Sequence, residues 1–386
     1  MGIFRWITAG ESHGQGVLAV LEGVPKGLAL DVAAVDAALS RRQRGYGRGQ
    51  RMQLECDAVS VLSGMKRGLT LGSPLTLLIK NRDERIDQYR TLTRPRPGHA
   101  DLAGALKYGT HDCAEVMERA SARETAARVA AGAVAAQVLR SVGIDVLALV
   151  DSIGAVHFEV PDGPMASLRE LVLASQFGAA DPMQAAAAQS AVDAARESRD
   201  TLGGTFLVRA TGCPAGLGSP MQWHERLDGR LAQALVSIPG IKGVEFGLGF
   251  GAAATGGRSC HDPIFWGPDA GFVRGSNHAG GIEGGMSNGS DIVLRAAMKP
   301  IPTLPDGLPS VDLVNGNPAP GVYERSDVCS VPAASVVGEA MVALTLLETL
   351  TECVESTTMA LLETSTKGMR ARHLGFMRNA KLSAGD

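Results

Sequence analysis

The sequence lacks the cysteine patterns that characterise metal sites and disulfide frameworks. Its six cysteines are scattered through 386 residues, without a CxxC pair or a Cys/His ligand spacing. Reduced thiols in a cytosol are the simplest interpretation of such scattered cysteines. We therefore predict no bound metal.

Long apolar runs are also missing. No uncharged apolar stretch approaches the roughly 20 residues that a membrane helix requires. The chain reaches Glu11 and His13 before the apolar core of a signal peptide could form, and Trp6 stands where a myristoylation motif needs Ser or Thr. We predict a cytoplasmic protein that does not bind a membrane.

Neither sign of charge is in large excess. The 37 Lys and Arg residues against 40 Asp and Glu residues give a net charge of −3 at pH 7. This balance argues against a surface built as a whole for nucleic acid or anionic lipid, so a basic site has to be local. Aromatic residues make up only 4% of a chain that is 45% hydrophobic, which is typical of a globular protein with a sizeable core.

Hydrophobic periodicity predicts a mixture of strands and helices. The predicted strands are 4–8, 17–21, 75–79, 205–210, 244–250 and 292–298. One long helix is predicted from a capping box, with Ser121 three residues before Glu124, to about Leu139 and a glycine stop at Gly143. Further helices are predicted at 182–199, at 227–236 and at 332–354, the last with Pro332 in its first turn.

Five arginines interleaved with glycines are the strongest local signal. They are Arg41, Arg42, Arg44, Arg48 and Arg51. Guanidinium groups bind carboxylate and phosphate oxygens in a bidentate manner, and glycine lets the backbone approach a ligand closely. One interpretation is a site for a small polyanion, and the other, of equal weight, is a solvated basic loop that contacts RNA.

A second cationic element is RPRPGHAD at residues 94–101. Its two prolines stiffen the backbone that displays Arg94, Arg96 and His99, which favours a binding site. The alternative is a surface turn in which His99 bonds its own backbone.

Ser121 lies between two further arginines, Arg119 and Arg123. At a helix N-terminus the helix dipole, unpaired N–H groups and guanidinium charge would converge on one anion, so a phosphate could bind there. The alternative is an ordinary capped helix, in which Glu124 satisfies one backbone donor.

Two familiar motifs occur without the context that their functions need. GESHG at 10–14 matches the G-x-S-x-G elbow of hydrolases, with Ser12 as nucleophile, but an elbow needs preceding strands and a following helix. GFGAAA at 249–254 matches a dinucleotide-binding fingerprint, but Gly256, Gly257 and Pro263 follow where a helix should begin. Both signals are weak.

Eight motifs occur together in the order seen in one family. They are GESHG (10–14), RRQRGYGRG (41–49), RPRPGHAD (94–101), ERASARETAARVAAGAVA (118–135), GIKGVEFG (240–247), GGIEGGMSNG (280–289), AAMKPIPT (296–303) and RSDVCSVPAA (325–334). With these motifs the chain resembles the chorismate synthases over nearly its whole length, apart from residues 156–201 and the C-terminal tail.

The resemblance implies a fold and a reaction. The fold is α+β, a β-α-β sandwich with helical layers between antiparallel sheets, assembled as a homotetramer. Residues 1–365 would form a single catalytic domain, and we expect 366–386 to be a flexible tail. The reaction is the anti-1,4-elimination of phosphate from 5-enolpyruvylshikimate-3-phosphate (EPSP), which gives chorismate in the last step of the shikimate pathway. It requires reduced FMN, and NADPH would act only indirectly, through an external reductant of the flavin.

The resemblance also assigns roles to residues. His13 would protonate the departing phosphate, His99 would face the flavin, and Asp327 would lie near flavin N5 and assist the loss of the C6 proton. The implied substrate ligands are Ser12, Arg42, Arg48 and Arg123. The implied flavin contacts are Arg119, Ala120, Ser121, Pro239, Gly240, Gly284, Lys299, Pro300, Ile301, Pro302, Thr303 and Arg325.

Two other functions stay open as alternatives. One is a serine hydrolase that uses Ser12, and the other is a nucleic-acid-binding protein that uses residues 41–51. The resemblance favours the synthase, whose partners would be its small-molecule substrate, further copies of the chain and the reductant, with no nucleic acid.

Overall fold

The computed structural model describes residues 3–48, 57–267, 271–324 and 326–383, with side chains as far as residue 376. The strands are β1 (Arg5–Gly10), β2 (Gly16–Glu22), β3 (Val59–Ser63), β4 (Met65–Lys66), β5 (Leu69–Thr70), β6 (Leu75–Lys80), β7 (Asp145–Ile153), β8 (Val156–His157), β9 (Gly204–Thr211), β10 (Ile241–Phe246), β11 (Ile264–Gly267), β12 (Gly271–Arg274), β13 (Ile282–Glu283), β14 (Met286–Ser287), β15 (Ile292–Met298), β16 (Pro309–Val311) and β17 (Pro318–Pro320). The α-helices are α1 (Val32–Gln43), α2 (Asp101–Tyr108), α3 (Cys113–Ala120), α4 (Thr125–Ser141), α5 (Met165–Ala174), α6 (Ala185–Glu197), α7 (Leu227–Val236), α8 (Gly257–Cys260), α9 (Val331–Cys353) and α10 (Met359–Ser383).

Two antiparallel sheets form the outer layers. The first has the strand order β1-β2-β6-β3, and the second has the order β10-β15-β9-β7-β8. Alternate residues are buried, such as Val17, Ala19 and Leu21 in β2, and Phe206 and Val208 in β9. Because side chains alternate between the two faces of a strand, each sheet turns one apolar face inward.

Helices α4 and α9 pack against each other in the space between the sheets. Helix α4 packs on β2 and β6, α9 packs on β7 and β9, and α1 lies against both helices. A Cβ atom on Gly132 would lie 2.4 Å from the Cβ of Ala340, so the two helices approach more closely than a larger residue allows. The predicted α+β fold, a β-α-β sandwich, is confirmed.

Five of the six predicted strands are confirmed as β1, β2, β6, β9 and β15. The prediction of a strand at 244–250 is wrong at its C-terminal end, because β10 ends at Phe246 and Gly249–Ala254 forms a 3₁₀ helix. Gly247 and Gly249 have φ angles of 54° and 53°. These left-handed conformations break the strand geometry.

The predicted helices at 182–199, 227–236 and 332–354 correspond to α6, α7 and α9. Only half of the predicted capping box forms. Ser121 is the N-cap of the 3₁₀ turn Ala122–Glu124, which leads into α4, but the Ser121 N–H donates to the Met117 carbonyl and not to Glu124. Helix α3 ends at Ala120, and the Ser121 Oγ accepts a hydrogen bond from Arg123 N at 3.2 Å. Glu124 binds elsewhere, accepting from the Thr8 hydroxyl at 2.7 Å and from Arg128 Nε at 2.8 Å.

Helix α10 continues past residue 365 without interruption, and Thr366 and Met369 are buried. The segment thus continues a helix, and its flexibility at 366–386 stays a prediction.

Helix α9 is long and apolar enough to cross a membrane by length and composition, and 94% of its 18-residue apolar stretch is buried inside the protein. A core helix between two sheets has these properties. Within the described ranges, five cysteines are free thiols.

Candidate active site

The turn between β1 and β2 displays Ser12 and His13. Gly10 permits this turn, since its φ angle is 96° and a Cβ atom there would lie 2.1 Å from the carbonyl oxygen of Gly16. Asn81, directly after β6, donates from Nδ2 to three carbonyl oxygens of the turn at 2.8 to 3.2 Å. The turn joins two antiparallel strands, so the strand–turn–helix context of a hydrolase elbow is absent from this described segment.

The side chain of His13 is buried and held by a carboxylate. Its Nδ1 lies 2.6 Å from Glu118 Oε1, and its backbone N–H donates to Glu118 Oε2 at 2.8 Å. The Tyr89 ring stacks at 4.4 Å, and Asp83 Oδ2 lies 4.0 Å from Nε2. Burial, together with Glu324, raises the pKa of Tyr89 to about 12. The Tyr89 hydroxyl therefore stays protonated and donates to Glu324 at 3.0 Å.

Arg42 and Arg123 meet on the two oxygens of Asp57. The distances are 2.9 Å from Arg42 Nη2 to Oδ2 and 2.6 Å from Arg123 Nη1 to Oδ1. Arg123 Nε also donates to Asn81 Oδ1 at 2.8 Å, which connects this arginine cluster to the turn between β1 and β2. Burial lowers the pKa of Arg42, and the positive charges of Arg48 and Arg123 lower it further. Arg42 and Arg123 therefore lie side by side on one carboxylate, and the charge of Arg48 also acts on Arg42.

Arg48 links the cluster to the start of α9. Its Nη1 lies 2.5 Å from Asp327 Oδ2, and Ser330 Oγ donates to the same carboxylate oxygen at 2.7 Å. Among the described residues, Arg42 Nε and Arg48 Nε are buried without a hydrogen-bond partner. A buried N–H group without an acceptor is costly, so both atoms suit an anionic ligand.

His99 belongs to a second cluster. Its Nδ1 contacts Asp101 Oδ1, and the same fully buried carboxylate accepts from Arg96 Nε at 2.7 Å. Burial alone would raise the pKa of Asp101, but hydrogen bonds from His99 and Arg96 hold it well below the ordinary range. Arg96 Nη1 donates to Thr303 Oγ1 at 3.2 Å, so Thr303 joins this cluster.

The predicted flavin segment 299–303 runs beside His99. Lys299 Nζ donates to the carbonyl of Gly98, and Lys299 N donates to Gly240 O at 3.0 Å. Burial lowers the pKa of Lys299, and the charge of Lys242 lowers it further. An anion bound beside these two lysines would relieve their repulsion. Pro300, Ile301 and Pro302 belong to the same segment.

Three further predicted flavin residues, Arg119, Ala120 and Pro239, line a cavity of about 880 Å³. The Arg119 guanidinium donates to the carbonyl oxygens of Gly10 and Thr8, each at 3.0 Å. It therefore holds the end of α3 against β1. This volume lies in the range of small-molecule pockets.

The remaining predicted flavin residues lie in different places. The Ser121 Oγ accepts from Ser12 Oγ at 3.1 Å, so Ser121 lies beside the predicted substrate residues. Gly284 lies in the turn between β13 and β14, and no described hydrogen bond connects it to the other predicted flavin residues. Arg325 lies outside the described residues.

Helix α3 connects the two clusters. Its first residue, Cys113, is near enough to Asp101 for that carboxylate to raise the pKa of the thiol, although burial is the larger cause. Its last turn carries Glu118 and ends at Ala120, and Ser121 follows directly. A helix of eight residues spans roughly 12 Å. The Glu118 end of this helix holds His13, and the charge of Asp101, the partner of His99, acts on its Cys113 end.

Sequence reasoning missed Glu118, Asp57, Asn81 and Tyr89. Glu118 stands in the motif 118–135, three residues before Ser121, so its position offered a weak signal. The other three stand outside every motif, and only folding brings them to the site. Among the described residues, no group of three or more His, Cys, Asp or Glu side chains is arranged to hold a metal ion.

Comparison with known proteins identifies the family. Residues 4–351 match the family model described as chorismate synthase. The chain is 52% identical over 356 residues to the chorismate synthase of Desulforudis audaxviator, which covers 89% of this chain and 91% of the relative. It is 51% identical over 361 residues to that of Moorella thermoacetica, which covers 91% and 94%.

A solved structure agrees with these matches. The crystal structure of a chorismate synthase superposes with a TM-score of 0.82 at 40% identity, covering 97% of this chain and 99% of that chain. The matches support neither a serine hydrolase nor a nucleic-acid-binding protein. The chain belongs to the chorismate synthase family and is a phosphate-eliminating lyase.

Proposed function

We propose that this chain converts EPSP to chorismate in a pocket formed by the turn between β1 and β2 and by the arginine cluster. The convergence of Arg42 and Arg123 on Asp57, with Arg48 close by, carries this proposal. Guanidinium groups gathered from distant segments suit a small molecule that carries one phosphate and two carboxylates.

The roles proposed for single residues follow from their positions. In the elimination, the C6–H and C3–O bonds break, the electrons of the C6–H bond enter the new diene, and phosphate leaves with the electrons of the C3–O bond. His13 donates a proton from Nε2 to the departing phosphate, and the Ser12 hydroxyl binds the same group. Arg48 binds the substrate, and Asp327, ion-paired to Arg48, assists the loss of the C6 proton.

The family requires a flavin, and we propose that it is reduced FMN. When bound, the flavin supplies an electron-rich ring that lowers the barrier to C3–O cleavage. Lys299 and Lys242 repel each other and would attract its phosphate. Arg119, Ala120 and Pro239, three of the proposed flavin contacts, line a cavity whose volume of about 880 Å³ is in the range of small-molecule pockets.

His99 is proposed to face the flavin. Asp101 contacts its Nδ1, so Nε2 is the nitrogen that can hold a proton towards a ligand. The other proposed flavin contacts are Ser121, Gly240, Gly284, Pro300, Ile301, Pro302, Thr303 and Arg325.

We also propose a cytoplasmic homotetramer. The β11–β12 hairpin exposes Ile264, Trp266 and Phe272 on one face and Phe265 on the other, and exposed apolar surface of this kind usually contacts another chain.

The flavin is proposed to be reduced by an external reductant, and NADPH would act only through that reductant. Turnover by the purified chain with NADPH and FMN alone would contradict this part of the proposal.

Anaerobic incubation with EPSP and dithionite-reduced FMN tests the proposed site. We expect equal amounts of phosphate and chorismate, and no product with oxidised FMN. Replacement of His13 or His99 by Ala should leave folding intact and lower kcat by about 10²-fold or more. Exposed His111 provides a matched control, and its replacement by Ala should leave kcat unchanged. Near-normal turnover in both the His13 and His99 variants would refute the assigned roles.

A further inference from the structure

We propose that Glu118 is a positioning residue that fixes the orientation and the tautomer of His13. Glu118 and His13 are both buried, with 8% and 4% of their surfaces exposed. The inference rests on the proposed role of His13 as the proton donor to the departing phosphate. The test therefore measures the tautomer of the His13 ring separately from turnover.

Three hydrogen bonds tie Glu118 to the turn that displays His13. Glu118 Oε1 lies 2.6 Å from His13 Nδ1, Oε2 accepts from His13 N at 2.8 Å, and the Glu118 carbonyl accepts from Ser12 N at 2.9 Å. All three oxygen atoms of Glu118 therefore contact the consecutive residues Ser12 and His13. The ring has no freedom to rotate without losing the contact at Oε1.

The chemistry of the carboxylate determines which nitrogen carries the proton. An ionised carboxylate only accepts hydrogen bonds, so the ring nitrogen that faces Oε1 has to be Nδ1–H. The second nitrogen, Nε2, is then the one that gains and loses a proton. It lies 4.0 Å from Asp83 Oδ2, which is beyond hydrogen-bond distance.

The Tyr89 ring restricts His13 from the side. Its centroid lies 4.4 Å from the imidazole centroid, with the planes tilted by 32°. Tyr89 fixes the plane of the ring, whereas Glu118 fixes the rotation within that plane. Together they aim Nε2 in one direction, and correct aim of a proton donor contributes to rate as much as its acidity does.

Glu118→Gln preserves the shape of the side chain but removes one acceptor. The amide has one oxygen and one N–H₂ group, whereas His13 presents two donors, its backbone N–H and Nδ1–H. The backbone N–H cannot change, so the amide oxygen stays with it and the N–H₂ group faces the ring. This arrangement selects the tautomer with Nε2–H and an accepting Nδ1, and it opposes the doubly protonated ring that acts as the acid.

The experiment compares the wild type with Glu118→Gln, Glu118→Asp and Glu115→Gln. Glu115 lies on the same helix and is exposed, so its variant controls for loss of charge on α3. Anaerobic turnover with reduced FMN gives kcat and KM for EPSP. Spectra of protein with ¹⁵N-labelled histidine rings, with the His13 signals identified from His13→Gln, report the tautomer directly. Circular dichroism and thermal melting check the fold.

We expect Glu118→Gln to show the Nε2–H tautomer and to lose about 10²-fold or more in kcat, with KM changed by less than about threefold. Glu118→Asp keeps an acceptor-only group and should retain the wild-type tautomer with an intermediate kcat. Glu115→Gln should match the wild type in every measurement.

Two results would overturn the inference. If Glu118→Gln keeps the Nδ1–H tautomer, Glu118 does not fix the ring, whatever the rate. If kcat falls equally in Glu118→Gln and Glu115→Gln, the loss reflects the charge of the helix. An inverted tautomer with kcat within about twofold of the wild type would have a different meaning. Glu118 would then still determine the tautomer of His13, but His13 would not be the acid that protonates the phosphate.

Discussion

Asp57 holds Arg42 and Arg123 together, and its replacement by asparagine removes the shared charge without changing the shape of the side chain. The Asp57 side chain is 2% exposed, and the two arginine side chains are 5% and 8% exposed. Asparagine has one oxygen, so it can accept from one arginine and presents N–H groups to the other. Removal of one partner from a buried ion pair costs about 3–5 kcal/mol, because the remaining charge is left uncompensated. We expect Asp57→Asn to lower the free energy of unfolding by about this amount.

Urea unfolding at a fixed protein concentration measures this difference. Asp87→Asn is the matched control, since Asp87 is exposed in the 3₁₀ turn Ile86–Gln88, and its free energy of unfolding should change by less than about 0.5 kcal/mol. The same substitution should lower kcat/KM for EPSP by about tenfold or more, because two substrate-binding groups lose their fixed positions. Stability and kcat/KM both close to wild type in Asp57→Asn would show that the arginines do not depend on this carboxylate.

Three further predictions concern packing, pH and cofactor binding. Gly132→Val should cost about 1–3 kcal/mol in unfolding free energy, because its Cβ would lie 2.4 Å from that of Ala340; Gly368→Ala, with nothing within 4 Å, should be neutral or stabilising. The pKa of Asp101 is lowered in the folded protein. The contribution of this carboxylate to stability is therefore fully present above the unfolded pKa of about 3.9 and is lost as the pH falls through the lower folded pKa. The difference in unfolding free energy between wild type and Asp101→Asn should shrink below about pH 4, and a difference independent of pH would contradict this. Lys299→Gln should weaken FMN binding by about tenfold in a fluorescence titration, and unchanged affinity would remove Lys299 from the proposed phosphate site.

Hydrophobic periodicity predicted the elements in which local preference and tertiary packing agree. Helix α7 begins and ends at the predicted residues, and α9 begins next to Pro332 as expected. Strand β7 was not predicted. It is buried on both faces, with Leu147 and Leu149 packed against α5, so its apolar run lacks the alternation that identifies a half-exposed strand.

The capping-box prediction failed in part because Glu124 has a partner far away in the chain. The motif from Ser121 to Glu124 has the local form of a capping box, but Glu124 binds Thr8 and Arg128 instead. A cap contributes about 1 kcal/mol, and a buried charge-assisted network outweighs it. Local spacing alone cannot show which of the two will form.

The sequence by itself determined the order of the motifs, the apolar faces of the main helices and strands, and the residue types suited to a polyanionic ligand. Tertiary structure alone decided which of these residues meet. Glu118 reaches His13 across 105 positions, and Asp57 reaches Arg123 across 66. The physical reason is that a hydrogen bond depends on the distance and the angle between its two partners. The packing of the two sheets around α4 and α9 sets both quantities, and the sequence next to each residue does not identify its partner.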